Sequence, residues 1–295
     1  MRTKSILLTP VLLFLSFVLI FSIVQAASGS AVAWLGAALA AAPLPLTVSF
    51  MMATERLART SENLPGAIAA SFVGVILAAT SLSTNALPAL LALISVSALL
   101  WYVFSYSRFG RTDSRTVTLG ERLPAFTLET ADGAAVTEKD FAGAPSLFLF
   151  YRGNWCPLCM AQIKEIAEDY KKLADLGVKV ALVSPQPHDE TRKLAAKFDA
   201  PFEFLVDKDF RTAKAFELFA EGGTPLGVDA MGYGQDTVLP TVIATDASGK
   251  VIFLDQTDNY RVRPEPSTFL KVFEDARIIQ HTDPSPATAP AGAVA

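Results

Sequence analysis

The pattern of hydrophobic and polar positions divides the chain into two unlike parts. Residues 1–106 consist mainly of long apolar runs, whereas after residue 106 short apolar runs alternate with charged segments. Four runs in the first part are long enough, and nearly enough free of charge, to cross a bilayer as helices. They cover residues 6–26, 31–53, 64–83 and 86–106. The sequence therefore predicts an α-helical transmembrane region of about four helices over residues 1–106, although the first run could instead be a signal peptide that ends at Ala26.

In the second part, apolar runs of strand length alternate with helical patterns. This alternation indicates a mixed central sheet with helices on both faces. Strands are expected at residues 123–128, 146–151, 178–183, 202–206, 238–245 and 251–255, and helices at 157–176, 189–198, 210–219 and 267–280. We predict a polar linker over residues 107–120, an α/β domain over 121–280 and a disordered tail, rich in proline and alanine, over 281–295.

Charge follows the same division. Residues 1–106 contain four basic and two acidic side chains, which leaves 21 basic and 27 acidic residues for the rest of the chain. This acidic balance argues against nucleic-acid binding, which needs a basic face.

The basic residues in and directly after the first part lie at alternate ends of the expected helices. Arg2 and Lys4 precede the first helix, and Arg56 and Arg59 separate the second from the third. Three arginines follow the fourth helix, at Arg108, Arg111 and Arg115. Positive residues favour the cytoplasmic side of a membrane. The sequence therefore predicts a multi-pass protein of the inner (cell) membrane with its α/β domain in the cytoplasm. An odd number of spans would place that domain on the periplasmic, or extracytoplasmic, side instead.

The candidate chemistry lies at a junction between a strand and a helix. Cys156 and Cys159 are the only cysteines in the 295 residues, and their Cys-x-x-Cys spacing can close a reversible disulfide. Pro157 suits the first helical position, which places Cys156 at the N-cap. Because the helix dipole favours a thiolate there, we expect the pKa of Cys156 to fall below its usual value of about 8.5 and that of Cys159 to stay higher. Cys156 would then attack as the nucleophile, and Cys159 would resolve the mixed disulfide.

Two neighbours of the dithiol are candidate supporting residues. Arg152 would add positive potential, and Trp155 would provide a flat apolar cover over the sulfurs. Ordinary packing for Trp155, or a solvated charge for Arg152, is an equally good interpretation of each.

These motifs carry a family resemblance. The segment WCPLC, together with Val238-Leu239-Pro240-Thr241, resembles the thioredoxin fold, in which such a proline is cis and faces the dithiol. More narrowly, FYRGNWCPLC followed by VALVSP and DKD is similar to the peroxiredoxin-like branch of the alkyl hydroperoxide reductase/thiol-specific antioxidant superfamily, over residues 116–280. The resemblance implies a thioredoxin-like domain with antioxidant activity, whose substrate groove is formed by Trp155, Pro240 and Thr241.

The sequence also departs from both families. Peroxiredoxins place a hydroxyl three residues before the reactive cysteine, where this chain has Gly153, and Leu149 replaces their proline. Their later arginine is not evident either, and Arg152 is the candidate to substitute for it. Peroxide cleavage needs such donors because negative charge develops on the departing oxygen. Thioredoxin's buried aspartate is replaced by Phe150.

Three functions remain open at this stage. The favoured one is a membrane-anchored thiol–disulfide oxidoreductase that works with a protein dithiol or disulfide partner and an electron-donor thiol. A thiol-dependent peroxidase, in which peroxide oxidises Cys156 to a sulfenic acid, is the first alternative. The second is a non-catalytic, redox-sensing membrane protein. The lipid bilayer is a predicted partner in all three.

No cofactor or metal is predicted. His188 and His281 could join the two cysteines around zinc only if residues far apart in the sequence met. The glycines of residues 222–234 lack the Lys-Ser/Thr ending of a phosphate loop, and they favour a loop near the active site.

Overall fold

The four apolar runs are helical in the computed structural model, which describes residues 2–28 and 31–282. The helices are α1 (Arg2–Ala26), α2 (Ala31–Ala41), α3 (Pro43–Thr54), α4 (Pro65–Ala78) and α5 (Leu87–Trp101). A 3₁₀ turn, Ala79–Ser81, extends α4, and a π-helical turn, Tyr102–Tyr106, extends α5. The second run is split into α2 and α3, which meet at an angle of 50°. Pro43 explains the break, because its ring and missing N–H interrupt a continuous helix.

By length and composition, two helices could cross a membrane, at Arg2–Ala26 and Leu87–Tyr106. The bent pair α2–α3 makes a third if it counts as one span, and the apolar helix Pro65–Ser81 is shorter. Outside residues 6–104, the exposed large apolar side chains of the described residues are only Leu119, Leu226 and Met231. The helices thus carry an apolar outer surface, which is the surface that a bilayer would cover.

Small residues bring α2 and α4 into close contact. A Cβ atom on Gly36 would lie 2.7 Å from the Gly74 carbonyl oxygen, and one on Gly74 would lie 2.6 Å from that of Gly36. The buried Ser71 hydroxyl donates to the Ala40 carbonyl across the same contact, at 3.0 Å. Close approach at small residues, with a hydrogen bond across the interface, is how helices associate where apolar burial gives no driving force.

The α/β domain is built on a seven-stranded mixed sheet. Its strands are β1 (Thr127–Thr130), β2 (Ala135–Thr137), β3 (Ser146–Phe150), β4 (Lys179–Ser184), β5 (Glu203–Val206), β8 (Thr241–Thr245) and β9 (Val251–Asp255), and β6 (Phe219–Ala220) and β7 (Thr237–Val238) form a separate pair. The order is β2-β1-β5-β4-β3-β8-β9, with β3, β4 and β5 parallel and the other pairs antiparallel. Every residue of β3 is buried, so the strand that leads to the dithiol lies in the core.

The helices of the domain are α6 (Pro157–Glu168), α7 (Tyr170–Asp175), α8 (His188–Ala195), α9 (Arg211–Ala215) and α10 (Pro266–Thr282). The prediction of one helix over residues 157–176 is wrong in detail, because the backbone leaves the helical region at Asp169 (φ −93°, ψ 6°). The helix expected at 210–219 already ends at Ala215. The disordered tail predicted over 281–295 lies outside the described residues beyond Thr282.

Two expectations about Pro240 are wrong. The strand predicted over residues 238–245 is split into β7 and β8, because a proline cannot donate to a strand ladder. The expected cis bond is absent, since the peptide bonds of the described residues are all trans.

The apolar helices and the α/β domain share an extensive polar junction. The Lys4 ammonium donates to the Ser105 and Arg108 carbonyls at 2.8 and 3.0 Å. The fully buried Arg261 donates to the Ser107 hydroxyl at 2.7 Å and to the Thr60 hydroxyl at 2.7 Å. The start of α1, the α3–α4 loop and the end of α5 therefore all lie at the end of the bundle that contacts the domain.

Candidate active site

The two cysteines lie where the sequence predicts, at the junction of the central strand and a helix. Cys156 is the N-cap of α6, in an extended conformation (φ −93°, ψ 107°), and Pro157 opens the helix. The Cys156 carbonyl accepts hydrogen bonds from the N–H groups of Cys159 and Met160 at 3.0 and 3.1 Å. Both cysteines are free thiols, 2% and 0% exposed. The pair is thus one helical turn apart and almost completely enclosed.

A buried arginine from outside the motif contacts the second sulfur. Arg263, 6% exposed, places Nη2 3.5 Å from the Cys159 Sγ. Its Nη1 donates to the Gln162 Oε1 at 2.8 Å, and its Nε donates to the Tyr260 carbonyl at 3.0 Å. These bonds fix the guanidinium against the dithiol.

Arg152 supplies a second buried guanidinium beside the pair. It is 5% exposed, donates to the Gly223 carbonyl, and lies over the Trp155 ring at 4.6 Å from the ring centre. Its charge acts on both sulfurs. Among the described residues, no carboxylate forms an ion pair with Arg152 or Arg263.

These surroundings reverse the ionisation order expected from the sequence. The hydrogen bond with Cys159 and burial raise the pKa of Cys156 well above its ordinary value. Burial alone would raise the pKa of Cys159 as well, but the hydrogen bond from Cys156 and the charge of Arg263 outweigh it and lower that pKa to about 5. In turn, the thiols raise the pKa of Arg263 against the effect of its burial. The reduced pair therefore carries one negative charge, with Cys156 holding the shared proton.

Residues at the end of the apolar bundle help to enclose the site. Tyr102, Tyr106 and Tyr260 belong to the same buried cluster as both cysteines. The hydroxyls of Tyr102 and Tyr260 are 2.7 Å apart and join α5 to the domain. Phe109 packs against Tyr260, with ring centres 5.9 Å apart. The dithiol is therefore covered by the apolar region as well as by its own domain.

Pro240 and Thr241, expected to shape a docking groove, have partners within the chain. Arg111 of the linker donates to the Pro240 carbonyl at 3.0 Å and to the Thr241 hydroxyl at 3.3 Å. The N–H of Leu239 donates to the Leu218 carbonyl at 2.7 Å. In this conformation, the backbone that would pair with an incoming strand is already bonded.

Sequence reasoning missed Arg263, Gln162 and the aromatic cover. The signals were weak: two arginines alternate in Arg261-Val262-Arg263, and Gln162 interrupts the otherwise apolar buried face of α6. Neither pattern reveals that residues about a hundred positions apart meet at one sulfur.

The other sequence candidates lie apart from the sulfurs. His188 pairs with Glu129 at 2.9 Å, and the described residues contain no group of three or more His, Cys, Asp or Glu arranged to hold a metal. The side chain of His281 is outside the described part of the chain. The glycine-rich loop contacts the start of α1, where Thr9 donates to the Leu226 carbonyl at 2.8 Å, and its Gly223 carbonyl accepts a hydrogen bond from Arg152 beside the site.

The ionisation of the pair can be measured directly. Thiolate absorbance at 240 nm in the reduced protein should show one thiolate per chain at neutral pH, lost with a midpoint near 5 as the pH falls. The direction follows from the lowered pKa, because the anion persists until the pH drops through that value. The oxidised protein, which has no thiol, is the blank. A first thiolate that forms only near pH 8.5, the value of a free cysteine, would contradict this electrostatic account.

Comparison with known proteins agrees with this geometry. Residues 119–254 match the AhpC/TSA family. The chain is 26% identical to Peroxiredoxin Bcp of Bacillus subtilis, over 46% of this chain and 83% of that protein. It is also 26% identical to the thiol-disulfide oxidoreductase ResA of Bacillus thuringiensis, over 48% of this chain and 71% of that protein.

Further matches are less complete. The chain spans about half the length of the chloroplastic peroxiredoxin Q relatives that it matches. Among solved structures, Enterococcus faecalis AhpC matches at a TM-score of 0.46 and 17% identity, over 57% of this chain and 97% of that one. The family match and the two Bacillus relatives identify residues 119–254, which hold the dithiol, as an AhpC/TSA family domain.

Proposed function

We propose that the protein is a membrane-anchored thiol–disulfide oxidoreductase that works through the Cys156–Cys159 pair. One observation carries this proposal: the only two thiols of the chain lie one helical turn apart beside two buried guanidiniums. A positive charge at that position stabilises a thiolate, and a thiolate is the species that attacks disulfides.

Cys156 is the attacking residue in this scheme and Cys159 the resolving one. Cys156 lies at the helix N-terminus and retains the only exposure of the pair, 2% against 0%. A shared proton can pass to Cys159 through the hydrogen bond that joins the two thiols. That transfer gives Cys156 the charge at the moment of attack.

The burial of the site sets a condition on the partner. With Cys156 2% exposed, a disulfide can reach its sulfur only after the residues that enclose it move. A protein that docks by strand pairing would also have to displace Arg111 from Pro240. Reaction with an extended partner therefore requires opening at the linker, whereas a small disulfide or dithiol requires less.

Peroxide reduction is the second candidate, and the family relatives named peroxiredoxins favour it. The position of the usual hydroxyl is occupied by Gly153. The donors that could stabilise a departing peroxide oxygen are Arg152 and the phenols of the enclosing cluster. Sulfenic acid on Cys156 would then condense with Cys159.

For the anchor, we propose four membrane crossings with the oxidoreductase domain in the cytoplasm, and retention of α1 in the mature protein. The basic residues Lys4, Arg59 and Arg108 all lie at the end of the bundle that contacts the domain. Their shared position supports one positive, cytoplasmic face. Lys4 and Thr9 bind the end of α5 and the glycine-rich loop, contacts that cleavage after Ala26 would remove.

Cysteine variants of the full chain in detergent test the chemistry. On mixing of the reduced variant with a disulfide peptide, Cys159→Ser should accumulate a mixed disulfide through Cys156, because the resolving thiol is gone. Cys156→Ser should trap none and should slow exchange by roughly a hundredfold or more. Mass spectrometry after an acid quench counts the adducts. Exchange at the wild-type rate in Cys156→Ser would refute the proposed function.

The same samples separate the second candidate. If hydrogen peroxide oxidises the reduced wild-type pair much faster than the peptide disulfide does, peroxide reduction is the better assignment. Cys156→Ser is again the control, since loss of the rapid peroxide reaction would identify Cys156 as the residue that peroxide attacks.

Sidedness can be tested with a cysteine introduced at the exposed Asp189 of α8, in a chain where Cys156 and Cys159 are serine. In intact spheroplasts, we expect Asp189→Cys to resist a membrane-impermeant maleimide until the membrane is permeabilised. Ser83→Cys, in the exposed turn at the other end of the bundle, should react at once. Labelling of Asp189→Cys in intact spheroplasts would place the domain outside the cell membrane.

A further inference from the structure

The positive charge beside the dithiol is not balanced by an ion pair among the described residues. Arg263 and Arg152 are 6% and 5% exposed, and no described carboxylate pairs with either. Asp255 raises the pKa of Arg263 less than either thiol does. The main anion available to these guanidiniums is thus the thiolate of the reduced pair.

We infer from this arrangement that the disulfide form of the protein is a strong oxidant, whose substrates are dithiols that deliver electrons to the site. The inference rests on the proposed function and adds the direction of electron flow, from substrate dithiols to the protein disulfide.

The physical reason is a difference between the two redox states. In the reduced pair, one sulfur is an anion and Arg263 hydrogen-bonds to it at 3.5 Å. In the disulfide neither sulfur is charged, so the same guanidiniums remain buried without the thiolate beside them. A buried charge that has lost its partner is costly, and this cost falls on the oxidised state alone. Stabilising the reduced form makes a disulfide more oxidising.

The surroundings of Arg263 do not relieve this cost. Its remaining bonds are to the Gln162 amide oxygen at 2.8 Å and the Tyr260 carbonyl at 3.0 Å, both neutral acceptors. Its backbone carbonyl accepts from Arg59 at 3.1 Å, and Arg59 itself pairs with Glu165. The guanidinium is therefore held at the sulfur by both regions of the protein.

The reaction consists of two exchanges. A substrate thiolate attacks the Cys156 Sγ, the Cys156–Cys159 bond breaks, and its electron pair leaves on the Cys159 Sγ beside Arg263. The second substrate thiol then attacks the substrate sulfur of the mixed disulfide and releases Cys156, which keeps a proton. In sum, one dithiol and the protein disulfide give one substrate disulfide, a Cys156 thiol, a Cys159 thiolate and one proton. A better-stabilised leaving thiolate makes the first exchange faster.

The test is redox equilibrium of the full chain in detergent with mixtures of glutathione and glutathione disulfide. Alkylation after an acid quench gives the fraction of dithiol by mass spectrometry. We expect the wild-type protein to be half reduced in mixtures where thioredoxin is still almost wholly oxidised. Arg263→Met should shift the equilibrium constant toward the disulfide form at least tenfold, which corresponds to a reduction potential about 30 mV lower. Arg263→Lys, which keeps the charge, should recover part of that shift.

A matched control distinguishes the charge at the sulfur from the loss of any buried arginine. Arg261→Met removes an equally buried guanidinium two residues away, which bonds to the α3–α4 loop and Ser107 instead of the dithiol. Arg261→Met should change the ratio of dithiol to disulfide protein, in the same glutathione mixture, by less than threefold. If Arg263→Met proves unfolded by thermal melting, Arg152→Met provides the same test at the second guanidinium.

Two results would overturn the inference. One is a wild-type reduction potential at or below that of thioredoxin. The other is a reduction potential of folded Arg263→Met equal to that of the wild-type protein. If Cys156→Ser is still inactive in exchange, either result would leave the proposed thiol–disulfide exchange in place. It would reject only the inference that the protein disulfide is a strong oxidant of dithiols.

Discussion

The site depends on the burial of positive charge beside two sulfurs. Guanidiniums that are 5–6% exposed and lack an ion-paired carboxylate among the described residues need an anion close by, and the thiolate of the pair supplies it. The Gln162 amide and the Tyr260 carbonyl keep Arg263 in position. The strand–helix junction brings the thiols together, but the arginines decide which redox state is favoured and how many protons the pair holds.

The apolar helices contribute to this constraint directly. Arg59 of the α3–α4 loop fixes the backbone of Arg263, and the Tyr102 hydroxyl meets that of Tyr260 beside it. The junction therefore excludes water from the sulfurs, which strengthens each electrostatic interaction there. An anchor that only held the domain near a membrane would need none of these contacts. The bundle thus forms part of the enclosure of the site as well as the candidate membrane region.

Local features of the fold could be predicted from the sequence because they depend on local chemistry. Pro157 starts α6 and places Cys156 at its N-cap. The buried strands β3 and β4 lie within one residue of the apolar runs expected to form them. Charge-free apolar runs became helices for the same reason.

The failures share a physical cause, which is contact between distant parts of the chain. The helix-end rule predicted a thiolate on Cys156, but Arg263, 107 positions further along the chain, favours the charge on Cys159. The groove expected at Pro240 is bonded to Arg111 of the linker. No periodicity or spacing reports such meetings, so the composition of the site could be predicted only in part.

The central claim, that the reduced pair is ionised and yet enclosed by both regions, has one direct measurement. It is the rate at which iodoacetamide alkylates the reduced full-length protein in detergent at neutral pH, compared with the same chain unfolded in denaturant. Enclosure predicts that the native protein reacts at least about tenfold more slowly, despite its lowered thiol pKa. A native rate equal to or faster than the unfolded rate would mean that the thiolate is open to solvent, and would contradict the account.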